Sequence, residues 1–156
     1  LINYDNQKIS KRKLMNLPKE SKLIKNKIRD IDLRGEIISI VDQNVSNVAI
    51  ITCKKNTIRS NHYHKKDFHF MYVLEGKIDY FYKNLIDEKI NYIAVNPGEN
   101  IFTPNEEIHA TYFPVETKLI VSSGFPRDQK TYEADTVRVK FLNHENLEEM
   151  FIKYAK

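Results

Sequence analysis

From Arg34 onward, short segments rich in Ile, Val, Tyr, Phe and Thr follow one another, separated by brief polar breaks. Runs of this length with this composition are strands, and many of them at short spacing predict an all-β sandwich or barrel. Strands are expected near 36–42, 47–53, 57–64, 68–75, 77–84, 89–95, 100–103, 108–114 and 117–123. The breaks carry turn chemistry, as at Lys54-Lys55-Asn56, Glu75-Gly76 and Pro97-Gly98. The flanks differ. Pro18 interrupts a weakly helical N-terminal stretch, in which Ser21 is expected to cap a short helix with Leu23, Ile24 and Ile28 on one side. Leu147, Met150, Phe151 and Tyr154 recur at helical spacing and predict a C-terminal amphipathic helix. The pattern divides the chain into a basic N-terminal arm or helix (1–33), a barrel (34–126) and a C-terminal extension with a helix (127–156).

Composition fits one folded domain: 156 residues, 41% apolar, with nine Tyr and eight Phe. The single cysteine, Cys53, has no partner for an internal disulfide, so stability must come from packing and a reducing cytoplasm is expected. The longest apolar runs, such as Phe70 to Leu74, are far shorter than the ~20 residues that span a bilayer. No apolar stretch precedes a small-residue cleavage site, so no signal peptide is expected. The net charge of +4 is uneven: residues 1–31 hold nine Lys/Arg against three Asp/Glu, the remainder sixteen against eighteen. No aromatic–basic interleaving accompanies that basic segment, so it reads as a solvated face packed on the barrel or on a second subunit, not as a nucleic-acid arm.

Four of the five histidines form an ordered set: His62-Tyr63-His64, then His69, then His109. Side chains alternate across a strand, so His62 and His64 share a face. His69 opens the next strand on the face of Met71 and Val73, and His109 opens a later one with Thr111 and Phe113. Neutral imidazoles converging inside a barrel point to a divalent metal; the alternative is a polar cavity lined by hydrogen-bonded histidines. His144 lies outside the set and reads as surface or helix cap.

These residues resemble the cupin superfamily. Its first motif is matched by His62-x-His64 through Gly76, and its second by Gly98, five residues, Pro104, and four residues to His109. The resemblance covers roughly residues 34–125 and implies a jelly-roll barrel, or double-stranded β-helix, of the RmlC-like type. It also implies one divalent transition metal (Fe, Zn, Ni or Mn) on His62, His64, His69 and His109. Two departures stand out: His69 replaces the usual glutamate, and Glu106 replaces the usual glycine. Four neutral nitrogen ligands would leave the full 2+ on the ion and suit a transition metal better than magnesium or calcium.

The pocket implied is the barrel mouth, with Met71, Phe102, Thr111 and Phe113 as lining and Tyr80 and Tyr82 as candidate proton donors. Asp32-Leu33-Arg34-Gly35 and Arg59 to Lys65 are similar to segments of cupin-type nucleotide-sugar epimerases and ketoisomerases from surface-polysaccharide pathways. That likeness casts Arg34, Arg59 and Lys65 as diphosphate contacts; in those enzymes histidine serves as a base without metal. Three readings follow. The first is a metal-dependent isomerase, epimerase or lyase of a small polar sugar derivative. The second is an Fe(II)-dependent dioxygenase. The third is a non-catalytic ligand-binding cupin. Cupins commonly dimerise, so a homodimer is expected, with no membrane partner.

Overall fold

The computed structural model describes residues 17–156. Strand pairing sorts most of them into two five-stranded antiparallel sheets. In the first the order is β1 (Lys22–Ile24), β9 (Asn100–Thr103), β6 (His69–Glu75), β11 (Thr117–Ser123) and β4 (Asn47–Cys53). In the second it is β12 (Thr136–Arg138), β5 (Thr57–His64), β10 (Glu107–Phe113), β7 (Ile78–Asn84) and β8 (Asn91–Val95). A separate hairpin joins β2 (Lys27–Asp32) to β3 (Gly35–Ser39). Two short helices follow the barrel, α1 (Gln129–Asp135) and α2 (Leu147–Tyr154). The architecture is the cupin jelly roll. No helix among the described residues is long and apolar enough to cross a membrane.

The β-branched and aromatic residues that alternate along these strands bury one face of each sheet against the other. Met71, Val73, Ile78, Tyr80, Val95, Ile101, Phe113, Leu119 and Val121 form that core. A second cluster covers the outside of the β5–β10–β7 sheet, where Leu142, Met150, Leu147 and Phe151 of the C-terminal extension pack on Phe81, Ala110 and Tyr112. The helix predicted at the C-terminus forms, and its apolar stripe makes this contact.

The N-terminal expectation fails. Residues 22–24 and 27–32 are strands, not a helix. Lys22–Ile24 pairs antiparallel with β9, and that tertiary ladder overrides weak helical periodicity. Ser21 caps nothing. It is buried, and its hydroxyl meets the Tyr80 hydroxyl at 2.8 Å and the Glu107 carboxylate. The barrel therefore recruits strands on both sides of the 34–126 span.

Two backbone features aim the site. On β5, Ser60 and Asn61 both have positive φ (67° and 55°). The pairing with β10 slips there: His109 faces His62, whereas Thr111 faces Arg59. This bulge puts Arg59 and His62 on one face, which uninterrupted alternation would forbid. The Asn61 side chain then clamps the backbone N–H and C=O of Leu142 at 2.8 and 2.9 Å. Glu106, where the motif calls for glycine, takes the left-handed conformation itself (φ 56°) and donates its N–H to the His64 carbonyl at 2.7 Å.

Gly76 has a stricter requirement. Its φ is +90°, and an added Cβ would sit 2.4 Å from the Glu116 carbonyl oxygen and the Thr117 hydroxyl. Gly76→Ala is expected to cost about 3 kcal/mol, combining backbone strain with a clash that backbone atoms cannot relieve. Urea unfolding measures it; a loss below about 1 kcal/mol would show that the β6–β7 turn yields.

Candidate functional site

The four histidines meet at one end of the barrel. His64 ends β5, His69 begins β6 and His109 stands near the start of β10, so antiparallel order brings distant positions to one rim. Ring centroids are 4.7 Å apart for His62 and His64, 4.8 Å for His62 and His109, 5.2 Å for His69 and His109, and 5.7 Å for His64 and His69. Burial holds the rings neutral. His62 and His109 are lowered to about 3, first by desolvation and then by a neighbouring imidazole, His64 for His62 and His62 for His109. Desolvation also takes His69 well below the usual value. His64 lies at about 4: burial and the Arg127 guanidinium push it down, and Asp135 offsets part of that.

Two of the ring nitrogens have protein partners. His64 Nδ1 lies 3.3 Å from Asp135 Oδ2 and 3.4 Å from the Thr136 hydroxyl. A carboxylate on that side places the proton on Nδ1 and leaves the Nε2 lone pair free. His109 Nδ1 faces the Glu107 carbonyl at 3.1 Å. Three others, His64 Nε2, His69 Nδ1 and His109 Nε2, are buried with no protein partner. Three orphaned buried polar atoms in one cluster are costly unless a ligand meets them.

The C-terminal extension roofs the cluster. Strand β12 pairs with β5 so that Thr136 faces His64 and Arg138 faces His62. The Tyr132 ring of α1 lies 5.8 Å from His64 and 6.4 Å from His62. Arg127 stands over that ring at 5.1 Å and binds Asp67 at 2.9 Å. Asp135 accepts the backbone N–H groups of Lys66 and Asp67 at 2.8 and 3.1 Å. Sequence reasoning singled out none of Asp67, Arg127 and Asp135 as a site residue. Nothing in the sequence of the 132–138 stretch announces pairing with a strand some seventy residues earlier.

The other predicted residues scatter. Met71, Tyr80, Tyr82 and Phe113 lie in the barrel core, and Thr111 is buried opposite Tyr80. The Tyr80 hydroxyl is held between Ser21 at 2.8 Å and Thr103 at 2.7 Å, so it is spoken for. Tyr82 reaches a 370 Å³ cleft at the histidine end, beside Lys19, Lys22, Asn84, Asn91 and Glu107. Phe102 does not line the interior: it pairs with Phe70, one step out of phase with His69 and Thr103, and packs on the Phe70 and Phe68 rings. Arg34 sits at the tip of the β2–β3 hairpin in an ion pair with Asp32. Arg59 lines a 700 Å³ cavity with Cys53, Lys54 and Lys118, at the barrel end away from the histidines. The Lys65 ammonium donates to the Ala134 carbonyl. His144 is exposed, and Asn146 is the α2 cap.

Nε2 of His64, Nδ1 of His69 and Nε2 of His109 are nitrogen donors of the kind a transition-metal ion takes. Among the described residues, however, the group whose donor atoms lie within 4.8 Å of one another is His64, Asp67 and Asp135. All four of those carboxylate oxygens already accept from backbone N–H groups or Arg127, so that trio works as a latch.

The fold is that of a cupin jelly roll. No protein-family model and no curated protein sequence matches the chain. Among solved structures, it is similar to QdtA, a sugar 3,4-ketoisomerase from Thermoanaerobacterium thermosaccharolyticum in complex with TDP. That match has 21% identity over 83% of this chain and 92% of the other, with a TM-score of 0.63. It is similar to WlaRB, a TDP-quinovose 3,4-ketoisomerase from Campylobacter jejuni, with 19% identity over 83% and 97% and a TM-score of 0.65. The capsular polysaccharide assembling protein CapF from Staphylococcus aureus matches 75% of this chain through 35% of its own length, at 18% identity and a TM-score of 0.56.

Proposed function

We propose that the chain isomerises a nucleotide-linked keto sugar, moving a ring carbonyl to the neighbouring carbon by histidine acid–base chemistry. The observation that carries this reading is His64: Asp135 holds Nδ1, and Nε2 is buried, neutral and unpartnered. The fold likeness to sugar 3,4-ketoisomerases supports the substrate class.

The chemistry needs one base and one donor. His64 Nε2 removes the proton from the carbon next to the carbonyl, a carbon that carries a hydroxyl. Tyr132 or His62, the groups beside it, hydrogen-bonds the carbonyl oxygen as that oxygen gains charge. The resulting enediol collapses the other way. The hydroxyl proton leaves as the new carbonyl forms, and a proton is returned to the former carbonyl carbon, so nothing is gained or lost overall. Asp135 stabilises the transient imidazolium. Tyr132 and Arg127 exclude water from the pair. The nucleotide lies in the 370 Å³ cleft, where Lys19 and Lys22 supply cations and Tyr82 a stacking face. On this reading the chain acts in surface-polysaccharide sugar synthesis, as a homodimer.

A second reading, a divalent transition metal on the histidine set, is favoured by the three orphaned nitrogens. Such an ion would supply Lewis acidity next to the carbonyl. One experiment separates the two. Chelator-treated protein is incubated in D2O with a TDP-linked 4-keto-6-deoxy sugar and followed by proton NMR, beside elemental analysis of the untreated protein. Conversion to the 3-keto isomer with deuterium entering the ring supports the histidine mechanism. Turnover that disappears with the chelator and returns with a metal shifts it to the second reading. No conversion and no deuterium exchange under any condition sinks the isomerase.

A further inference from the structure

A cation with an unfilled donor stands at the histidine rim. The Arg127 side chain is only 22% exposed, and its Nε is buried without an acceptor. Its Nη2 holds the Asp67 carboxylate at 2.9 Å. A guanidinium presents its donors as a rigid fork, which a carboxylate ordinarily fills with both oxygens. Asp67 fills half of it, because its Oδ1 accepts the Phe125 N–H at 3.0 Å. A buried donor on a charged group, left without an acceptor, is more costly than a neutral one. Such an atom marks a place where a ligand oxygen belongs.

The surroundings fix where that donor stands. The guanidinium carbon lies 5.1 Å from the centre of the Tyr132 ring, and that ring is 5.8 Å from His64 and 6.4 Å from His62. Asp67, which Arg127 grips, brings a carboxylate oxygen within 4.8 Å of a His64 ring nitrogen. All four imidazoles feel the positive charge, which pushes each of them down. Its neighbours on the roof are committed elsewhere. Arg138 donates both Nη atoms to Glu133 at 2.8 and 2.7 Å, and the Lys65 ammonium donates to the Ala134 carbonyl at 3.0 Å.

Removing a proton beside a carbonyl drives negative charge onto the carbonyl oxygen. Tyr132 and His62 can donate to that oxygen, but as neutral groups they bring no charge. A cation already aimed and desolvated stabilises an oxyanion without reorganising when the charge develops. We propose that Arg127 is a further catalytic residue: its Nε–H donates to the oxygen that becomes negative as the sugar enolises, while Asp67 and the Tyr132 face hold the guanidinium in place. The inference rests on the isomerase reading above and deepens it. The carbon proton goes to His64 Nε2 and the electron pair moves onto the oxygen. Arg127 keeps its own protons throughout.

The test is conversion of the TDP-linked 4-keto-6-deoxy sugar by the full chain, with affinity for the sugar nucleotide measured by calorimetry and fold checked by circular dichroism and melting. Arg127→Lys keeps the charge but loses the planar fork and its Nε; Arg127→Met loses both. A fall in kcat of about tenfold to a hundredfold is expected in Arg127→Lys, and of about a hundredfold to a thousandfold in Arg127→Met. Affinity should stay within about threefold of the parent, because the oxygen carries no charge until the proton leaves. Guanidinium ion, added below the concentration that melts the protein, is expected to restore part of the Arg127→Met kcat. Should Arg127→Met fail to fold, Arg127→Lys alone decides. Full kcat in the folded variants overturns the proposal and leaves the isomerase standing. A loss that falls on affinity instead of kcat, or that guanidinium ion leaves untouched, does the same. A parent that neither converts the sugar nor exchanges its ring proton in D2O removes the isomerase and this role together.

Discussion

Replacing His64 with glutamine is expected to lower kcat by roughly a thousandfold, the range of a positioned general base. Binding of a TDP-sugar, measured by calorimetry, should be weakened by less than about tenfold, because glutamine keeps a polar side chain on the rim. Asp135→Asn tests the same pair from the other side. Asparagine keeps one acceptor oxygen for the Lys66–Asp67 turn where the carboxylate offers two, and it removes the negative charge behind the imidazole. A tenfold to hundredfold fall in kcat with unchanged KM is expected. The pH profile adds a readout that a structural role would not move. His64 is held at about 4 by burial and Arg127, against the opposing pull of Asp135. Brief kcat/KM assays should therefore show an acid limb far below the 6.5 of an ordinary histidine, and in Asp135→Asn it should move lower still. An acid limb near 6.5 in the parent would show that His64 is not the base. Retention of full kcat in His64→Gln would do the same directly.

The second large effect concerns stability in acid. The histidine cluster is neutral when folded, with His62 and His109 at about 3 and His64 at about 4, and His69 also depressed by burial. The unfolded chain titrates near 6.5. Between those values it binds protons that the folded protein refuses, so stability is complete above pH ~6.5 and is lost as pH falls toward 4. Each histidine costs about 1 kcal/mol between pH 6.5 and 5.5, or about 4 kcal/mol for four. Glu107 opposes this. Burial raises it to about 7; it keeps a proton when folded that it sheds when unfolded, and contributes about 1 kcal/mol over the same interval. The net loss of about 3 kcal/mol is expected to lower Tm by about 10 °C. Thermal scans of chelator-treated protein at pH 5.5, 6.5 and 7.5 measure it. A flat Tm across that range would mean that the histidines titrate normally and are not buried together.

The barrel strands were legible because their information is local: apolar and β-branched runs bounded by Gly, Pro, Asn and Lys clusters. So was the meeting of His62 and His64, which needs only the period of two. Lys22–Ile24 was missed because three residues carry too little pattern, and what makes them a strand is β9 beside them. Arg59 and Phe102 went astray for different reasons. Arg59 was grouped with His62 for its nearness in sequence, but it lies toward the other end of β5 and lines the cavity away from the histidines, although the Ser60–Asn61 bulge puts it on the same face. Phe102 was read as lining from its aromatic character, although alternation from Thr103 already sends it outward. Asp135, Tyr132 and Arg127 are polar residues on a short helix and its approach. Their roles come from docking on β5, which sequence distance conceals.

The roof has a consequence for how the protein comes into being. A nascent chain that has emerged as far as Gly124 carries every strand of both sheets except β12, and all four histidines of the rim. It lacks the carboxylate behind His64, the aromatic cover, and the Leu142 and Met150 contacts on the back of the second sheet. Such a chain can close its barrel before it can do chemistry. On the proposed isomerase reading, reactivity is withheld until the final stretch has docked, and a product truncated before Asp135 would be a barrel with an unaligned base.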